Sequence, residues 1–214
     1  MKILITGFDP FGGESVNPAF EAVKLVPEEV KGAQVIKLEI PTVFTRSTKV
    51  VEDAILLHQP DVVLNIGQAG GRSHITVEKV AINLAEARIP DNDGEQPLDA
   101  KLVEEGETAY FATIPVKAIV AHLKDNKIPA SISYTAGTYV CNSIMYNVLH
   151  LTKTKYPNIR AGFIHVPFAT EQAVDKPVGT PFMSLAEIAK ALELSIEAII
   201  ANEVDAKVQM GTIM

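Results

Sequence analysis

The chain has 214 residues, 47% of them hydrophobic and 21% charged, with a net charge of −7, five histidines and one cysteine. A lone cysteine excludes an internal disulfide, a Cys-rich zinc module and a Cys-ligated iron–sulfur cluster. The acidic balance leaves no clustered Lys and Arg of the kind that nucleic acid or an anionic membrane surface requires, so a small or neutral partner is expected.

In chain order, residues 2–8 read as a strand, followed by a helix over 18–26 with Asn17 as N-cap and Pro18 at the first helical position. Residues 1–7 form too short an apolar run for a signal peptide and lack a small-residue cleavage site, so a cytoplasmic location is expected. A strand over 34–40, a helix over 46–58 and a strand over 61–67 come next. Residues 74–88 fit neither clean alternation nor a clean helical stripe and read as extended, before a loop over 89–99 with Pro-Asp-Asn-Asp-Gly turn chemistry. A helix over 116–126 and a strand over 131–135 lead to a helix over 142–155. A strand over 159–166, a loop over 167–183 and a helix over 185–203, opened by a Ser184/Glu187 capping box, complete the chain. Residues 128–152 carry no formal charge, yet Pro129, Gly137, Asn142 and Asn147 would place too many polar or helix-breaking groups in lipid, so they read as strand, turn and helix. The alternation predicts a single α/β domain over residues 1–214, a three-layer α/β/α sandwich with a largely parallel mixed sheet.

Two glycine clusters follow strands. The first, from Gly7 to Gly13, has the spacing of a phosphate loop, but Gly13 and Glu14 stand where that loop needs Lys and then Ser or Thr. Its Phe8 and Phe11 either join the core or wall a ligand pocket. The second, from Gly67 to Arg72, places another flexible turn at the same carboxyl edge of the sheet, where open α/β folds bind ligands. His58, His122 and His150 sit on helices and read as structural, and no histidine pair has metal-ligand spacing, so no metal and no cofactor are expected. His165 ends a strand at the carboxyl edge, either as a base or as a satisfied core histidine. Cys141 lies at a strand-to-helix turn, where unpaired N–H groups and the helix dipole favour a thiolate and can donate to an oxyanion. An inert buried thiol is the competing reading.

Two segments, Gly67-Gln-Ala-Gly-Gly-Arg-Ser-His-Ile-Thr-Val-Glu-Lys-Val-Ala-Ile-Asn83 and Ile132-Ser-Tyr-Thr-Ala-Gly-Thr-Tyr-Val-Cys-Asn142, resemble the pyroglutamyl peptidases I, cysteine peptidases that remove an N-terminal pyroglutamyl residue. Thr6-Gly-Phe-Asp-Pro-Phe-Gly-Gly13 and Phe163-Ile-His-Val-Pro167 are similar to the same family, so the resemblance spans nearly the whole chain. It implies Cys141 as nucleophile, His165 as general base and later general acid, and Glu78 as the carboxylate that orients the imidazole. It also implies Phe8, Phe11, Asn17, Thr42, Gln68, Ile89, Tyr139 and Val140 around the substrate ring, with Arg88 near the scissile carbonyl. Tyr139 departs from the Phe of many bacterial members, and its hydroxyl points either into the pocket or to water. The resemblance further implies peptides with N-terminal pyroglutamate as partners and a homotetramer. Apolar residues of the tail 208–214 either serve that interface or fray.

Other readings are a phosphorylase-like or nucleotide-binding α/β protein using the glycine turns for an anion, and a non-catalytic small-molecule binder with a structural Cys141. A glutaminase-type enzyme fits less well, because Val140 and Asn142 flank the cysteine where glycines usually form a nucleophile elbow.

Overall fold

Val, Ile and Leu fill most of the strand runs, and parallel strands buried on both faces require such continuous apolar sequence. In the computed structural model, which describes residues 1–211, these runs build one seven-stranded sheet. The elements are β1 (Lys2–Phe8), α1 (Pro18–Leu25), β2 (Glu29–Val30), β3 (Ala33–Ile40), α2 (Ser47–His58), β4 (Val62–Gln68), β5 (Ile75–Glu78), β6 (Val80–Ile82), β7 (Ala109–Phe111), α3 (Val116–Asp125), β8 (Ala130–Ser133), α4 (Val140–Thr154), β9 (Arg160–Val166), β10 (Phe168–Ala169), α5 (Thr170–Ala173), β11 (Phe182–Met183) and α6 (Leu185–Ala201). The sheet order is β2-β3-β1-β4-β9-β5-β8. Strands β3, β1, β4 and β9 are mutually parallel; β5 runs antiparallel to β9 and carries β8 parallel to itself. Helices α1 and α3 both pack on α6 and α2 packs on α4, so two helix groups enclose the mixed sheet.

Local signals act where they were read. Asn17 caps α1 by accepting from the Ala19 N–H at 3.1 Å, and Ser184 and Glu187 form a reciprocal box at the start of α6. The segment 74–88 does not stay one extended stretch: β5 enters the large sheet, while β6 pairs antiparallel with β7 in a separate two-stranded sheet. The strand expected over 131–135 ends at Ser133, and the helix expected from residue 142 begins at Val140, which places Cys141 inside its first turn. The loop 167–183 contains β10, α5 and β11. Of the tail 208–214, the Val208 carbonyl accepts from Lys117 Nζ at 2.7 Å and Met210 packs against the core, while residues 212–214 lie outside the described residues. Among the described residues no helix is long and apolar enough to cross a membrane.

Candidate active site

Strand register assembles the site. Parallel pairing of β4 and β9 sets Gly67 beside His165, and antiparallel pairing of β5 and β9 sets Thr76 opposite His165 and Glu78 opposite Phe163. Side chains alternate along a strand, so His165 and Glu78 share a face and stand as diagonal neighbours, a separation that long side chains span. Glu78 Oε1 lies 2.7 Å from His165 Nδ1, with the Glu78 side chain 0% and the His165 side chain 5% exposed. An ionised Glu78 accepts the proton on Nδ1, so this contact selects the tautomer whose Nε2 is a free base.

Cys141 reaches the same face from above. Gly137, with φ +77°, turns the chain after β8, and Tyr139 then opens α4 without a side-chain cap, leaving the first amide N–H groups of the helix without intrahelical partners. Asn142 fastens this end down: Nδ2 donates to the carbonyls of Ile82 and Leu84, each at 2.9 Å, and Oδ1 accepts from the Ile82 N–H at 3.0 Å. The sulfur rests over Gly67. A Cβ on that glycine would come within 2.8 Å of Cys141 Sγ and 2.6 Å of Phe163 Cζ, so only a residue without a side chain leaves room for the thiol. No hydrogen bond links Cys141 to His165, whose ring stacks at a tilt on Phe163 with centroids 4.7 Å apart.

Burial pushes the Cys141 thiol up to about 12; the Glu78 charge adds to this, while Arg72 and the residue's own backbone N–H oppose it. Desolvation therefore works against the helix terminus at this sulfur and favours the protonated thiol. Burial likewise lowers His165, helped by Arg72 and opposed by Glu78. For Glu78 burial acts upward, but the hydrogen bond and charge of His165, with Ser133 and Arg72, leave its pKa lowered. Arg72, permanently charged, sustains the carboxylate with either form of the imidazole, so the resting pair is an ionised Glu78 beside a neutral His165.

The residues assigned to the ring pocket by resemblance separate into two groups. Phe8, Asn17, Thr42 and Val140 are buried. Asn17 Nδ2 and Thr42 Oγ1 both donate to the Asp9 carbonyl, at 2.9 and 3.1 Å, and so hold the loop after β1. Phe11, Gln68, Tyr139, Ile89 and Arg88 remain at least partly open, Arg88 and Ile89 most of all. The Tyr139 ring lies 6.0 Å from Phe11 and edge-on to Phe44 at 5.4 Å, and its hydroxyl donates to the Pro90 carbonyl at 3.0 Å. Gln172, from α5, donates to Gln68 Oε1 at 2.9 Å, to Glu14 and to the Val16 carbonyl, tying three loops around the site. Among the described residues no three His, Cys, Asp or Glu side chains converge as metal ligands would.

Sequence reasoning overlooked several supports. Buried Asp91 accepts from the N–H groups of Phe44, Asp93 and Glu95, a turn that Pro-Asp-Asn-Asp-Gly chemistry anticipates in kind but not in its partners. Arg72 figured only as the last residue of a glycine motif, yet its guanidinium bonds Glu78.

The sequence model of the pyroglutamyl peptidase family matches residues 1–202. The pyrrolidone-carboxylate peptidase of Clostridium perfringens is 60% identical over the full length of both chains, and that of Enterococcus faecalis is 60% identical over 99% of each. The crystal structure of pyroglutamyl peptidase I from Bacillus amyloliquefaciens superposes with a TM-score of 0.94 at 46% identity, covering 97% of this chain and 99% of that one. Pyrrolidone carboxyl peptidase from Thermococcus litoralis gives 0.93 at 42% identity with the same coverage. The anion-binding alternative finds no support in these likenesses, and the first glycine turn ends on Glu14, ion-paired with Lys176 at 2.7 Å.

Proposed function

This chain belongs to the pyroglutamyl peptidase family of cysteine hydrolases, and on that premise we propose that Cys141, His165 and Glu78 are the groups with which it releases N-terminal pyroglutamyl residues. What carries the reading is the seat of the sulfur on Gly67, at a helix N-terminus and level with a histidine oriented by a buried carboxylate.

The chemistry is an acyl transfer. The thiol proton passes to His165 Nε2 as the sulfur attacks the pyroglutamyl carbonyl carbon. The oxyanion faces the unpaired N–H groups at the start of α4, with Arg88 approaching from solvent. Collapse breaks the C–N bond, and the leaving amine takes the proton from His165. Water then attacks the thioester with His165 again as base, releasing pyroglutamate and restoring the thiol.

Specificity follows from the neutrality of the lactam. A compact uncharged ring suits a slot between Phe11, Ile89 and Tyr139, with the Gln68 amide as a polar partner, whereas an ordinary charged N-terminus would be stripped of water there. A cytoplasmic homotetramer belongs to the same reading, and light scattering tests the assembly. The activity is tested with a fluorogenic pyroglutamyl amide: the wild type should cleave it and Cys141→Ala should not, with unchanged circular dichroism. Wild-type turnover in Cys141→Ala would overturn the mechanism.

A further inference from the structure

Glu78 has a second partner that the acyl-transfer scheme does not use. Arg72 follows Gly71, whose φ of +92° lets the chain double back after β4, and the turn is closed by the Arg72 N–H donating to the Ala69 carbonyl at 3.2 Å. From there Arg72 Nη1 donates to Glu78 Oε1 at 2.7 Å and to Thr76 Oγ1 at 2.5 Å, while Nη2 donates to the Thr135 carbonyl at 3.1 Å. Glu78 Oε1 is also the oxygen that faces His165 Nδ1, and Oε2 has no hydrogen-bond partner among the described residues. One carboxylate oxygen is thus shared by the guanidinium and the imidazole. The other end of the guanidinium holds the segment that leads from β8 into α4 and Cys141.

We propose that Arg72 is a positioning residue for this reaction: it fixes the Glu78 carboxylate against His165, keeps that carboxylate from drawing a proton onto the imidazole, and ties both to the segment that delivers Cys141. The proposal rests on the catalytic reading of Cys141, His165 and Glu78 given above. Its logic is electrostatic. A lone buried carboxylate beside a histidine favours imidazolium, which is no base; a fixed cation on the same oxygen offsets that charge while leaving its direction intact. The charged groups acting on His165 are Glu78 from β5 and Arg72 from the turn before it, and the same two groups act on Cys141 from α4. Arg72 is 30% exposed at its side chain, so the cation keeps contact with water while its carboxylate partner has none.

The test compares Arg72→Ala and Arg72→Lys in the full chain, using a fluorogenic pyroglutamyl amide over a range of pH. Arg72→Ala should lower kcat by about ten- to a hundredfold with KM within about twofold, the scale of a small misplacement of catalytic groups. Loss of the nearby positive charge should also move the acid limb of kcat/KM to higher pH. Arg72→Lys retains the charge but loses the forked grip, so it should keep the limb at its wild-type position and recover part of kcat. An unchanged kcat in Arg72→Ala, or an equal loss in both variants with the limb unmoved, overturns the proposal. Should Arg72→Ala not fold, Arg72→Gln, which keeps a donor and removes the charge, is judged by the same two criteria of kcat and limb. Glu78→Gln assayed alongside separates the two levels. Wild-type turnover there defeats the catalytic reading itself, whereas an inactive Glu78→Gln beside an unaltered Arg72→Ala defeats only the role of Arg72.

Discussion

Beneath the Cys141 sulfur, Glu78, His165 and Phe163 stand on paired strands at 0 to 4% exposure, whereas the loops above it meet through bonds at the surface such as Tyr139 Oη to Pro90 and Asn92 to the Pro10 carbonyl. The floor is fixed by register. A strand cannot shift by one residue without turning every side chain to the wrong face, so the His165–Glu78 diagonal is as rigid as the sheet. The roof is fixed by capping and turn bonds, each contributing on the order of 1 kcal/mol. Changes in the floor should therefore strike kcat, and changes in the roof should strike KM.

The largest effect expected is in the floor. Cys141→Ala should reduce turnover of a pyroglutamyl amide by about a thousandfold or more, and His165→Ala should do the same. His122, which also faces a glutamate, Glu197 at 3.5 Å, lies between helices, and His122→Ala should leave turnover unchanged. Equal losses at His165 and His122 would show that the sheet floor has no special role in turnover. Next comes Gly67→Ala, whose methyl group meets Cys141 Sγ and Phe163. On the proposed mechanism, displacing the sulfur should cost about a hundredfold in kcat with little change in KM, read by steady-state kinetics. The floor also sets the pH response. His165 and Glu78 both have folded pKa values below their ordinary 6.5 and 4.5, so each contributes stability that is present above its unfolded value and lost as pH falls through the folded one. Urea midpoints should accordingly decline below about pH 6.5 in the wild type, and more shallowly in His165→Gln. Tyr139→Phe, in the roof, should have the smallest effect: loss of one half-exposed hydrogen bond, worth about 0.5–1.5 kcal/mol, should raise KM by less than about tenfold at constant kcat. A kcat defect there would show that the roof also sets the chemistry.

The same division explains what could be read from the chain. Cys141 and His165 drew attention through local signals, an uncharged strand-turn-helix for one and a strand ending at Pro167 for the other. Those signals left a structural reading of each open, and only the resemblance assigned them roles. Even so, the helix starts two residues earlier than its apolar spacing implied, since Val140 is buried in its first turn. Glu78 could not be chosen from residue pattern alone. It lies in a four-residue strand, fully buried, so no alternation reports its face, and its neighbours are set by the antiparallel entry of β5 beside β9, a long-range event. Arg72 was hidden for the same reason, because its partners Glu78 and Thr135 meet it only after the sheet has formed. Among the pocket residues, Phe8 and Phe11 looked alike in sequence. The end of β1 buries Phe8 at 2% exposure and the turn after it leaves Phe11 half-buried.

If acyl transfer passes through the single sulfur seated on Gly67, acid-quenching the enzyme during turnover of a pyroglutamyl ester and mapping adducts by mass spectrometry will trap the intermediate there. One pyroglutamyl group is expected, carried by the peptide that contains Cys141 and absent from Cys141→Ala. Turnover at the wild-type rate with that peptide unmodified, or with the acyl group on another residue, would contradict it.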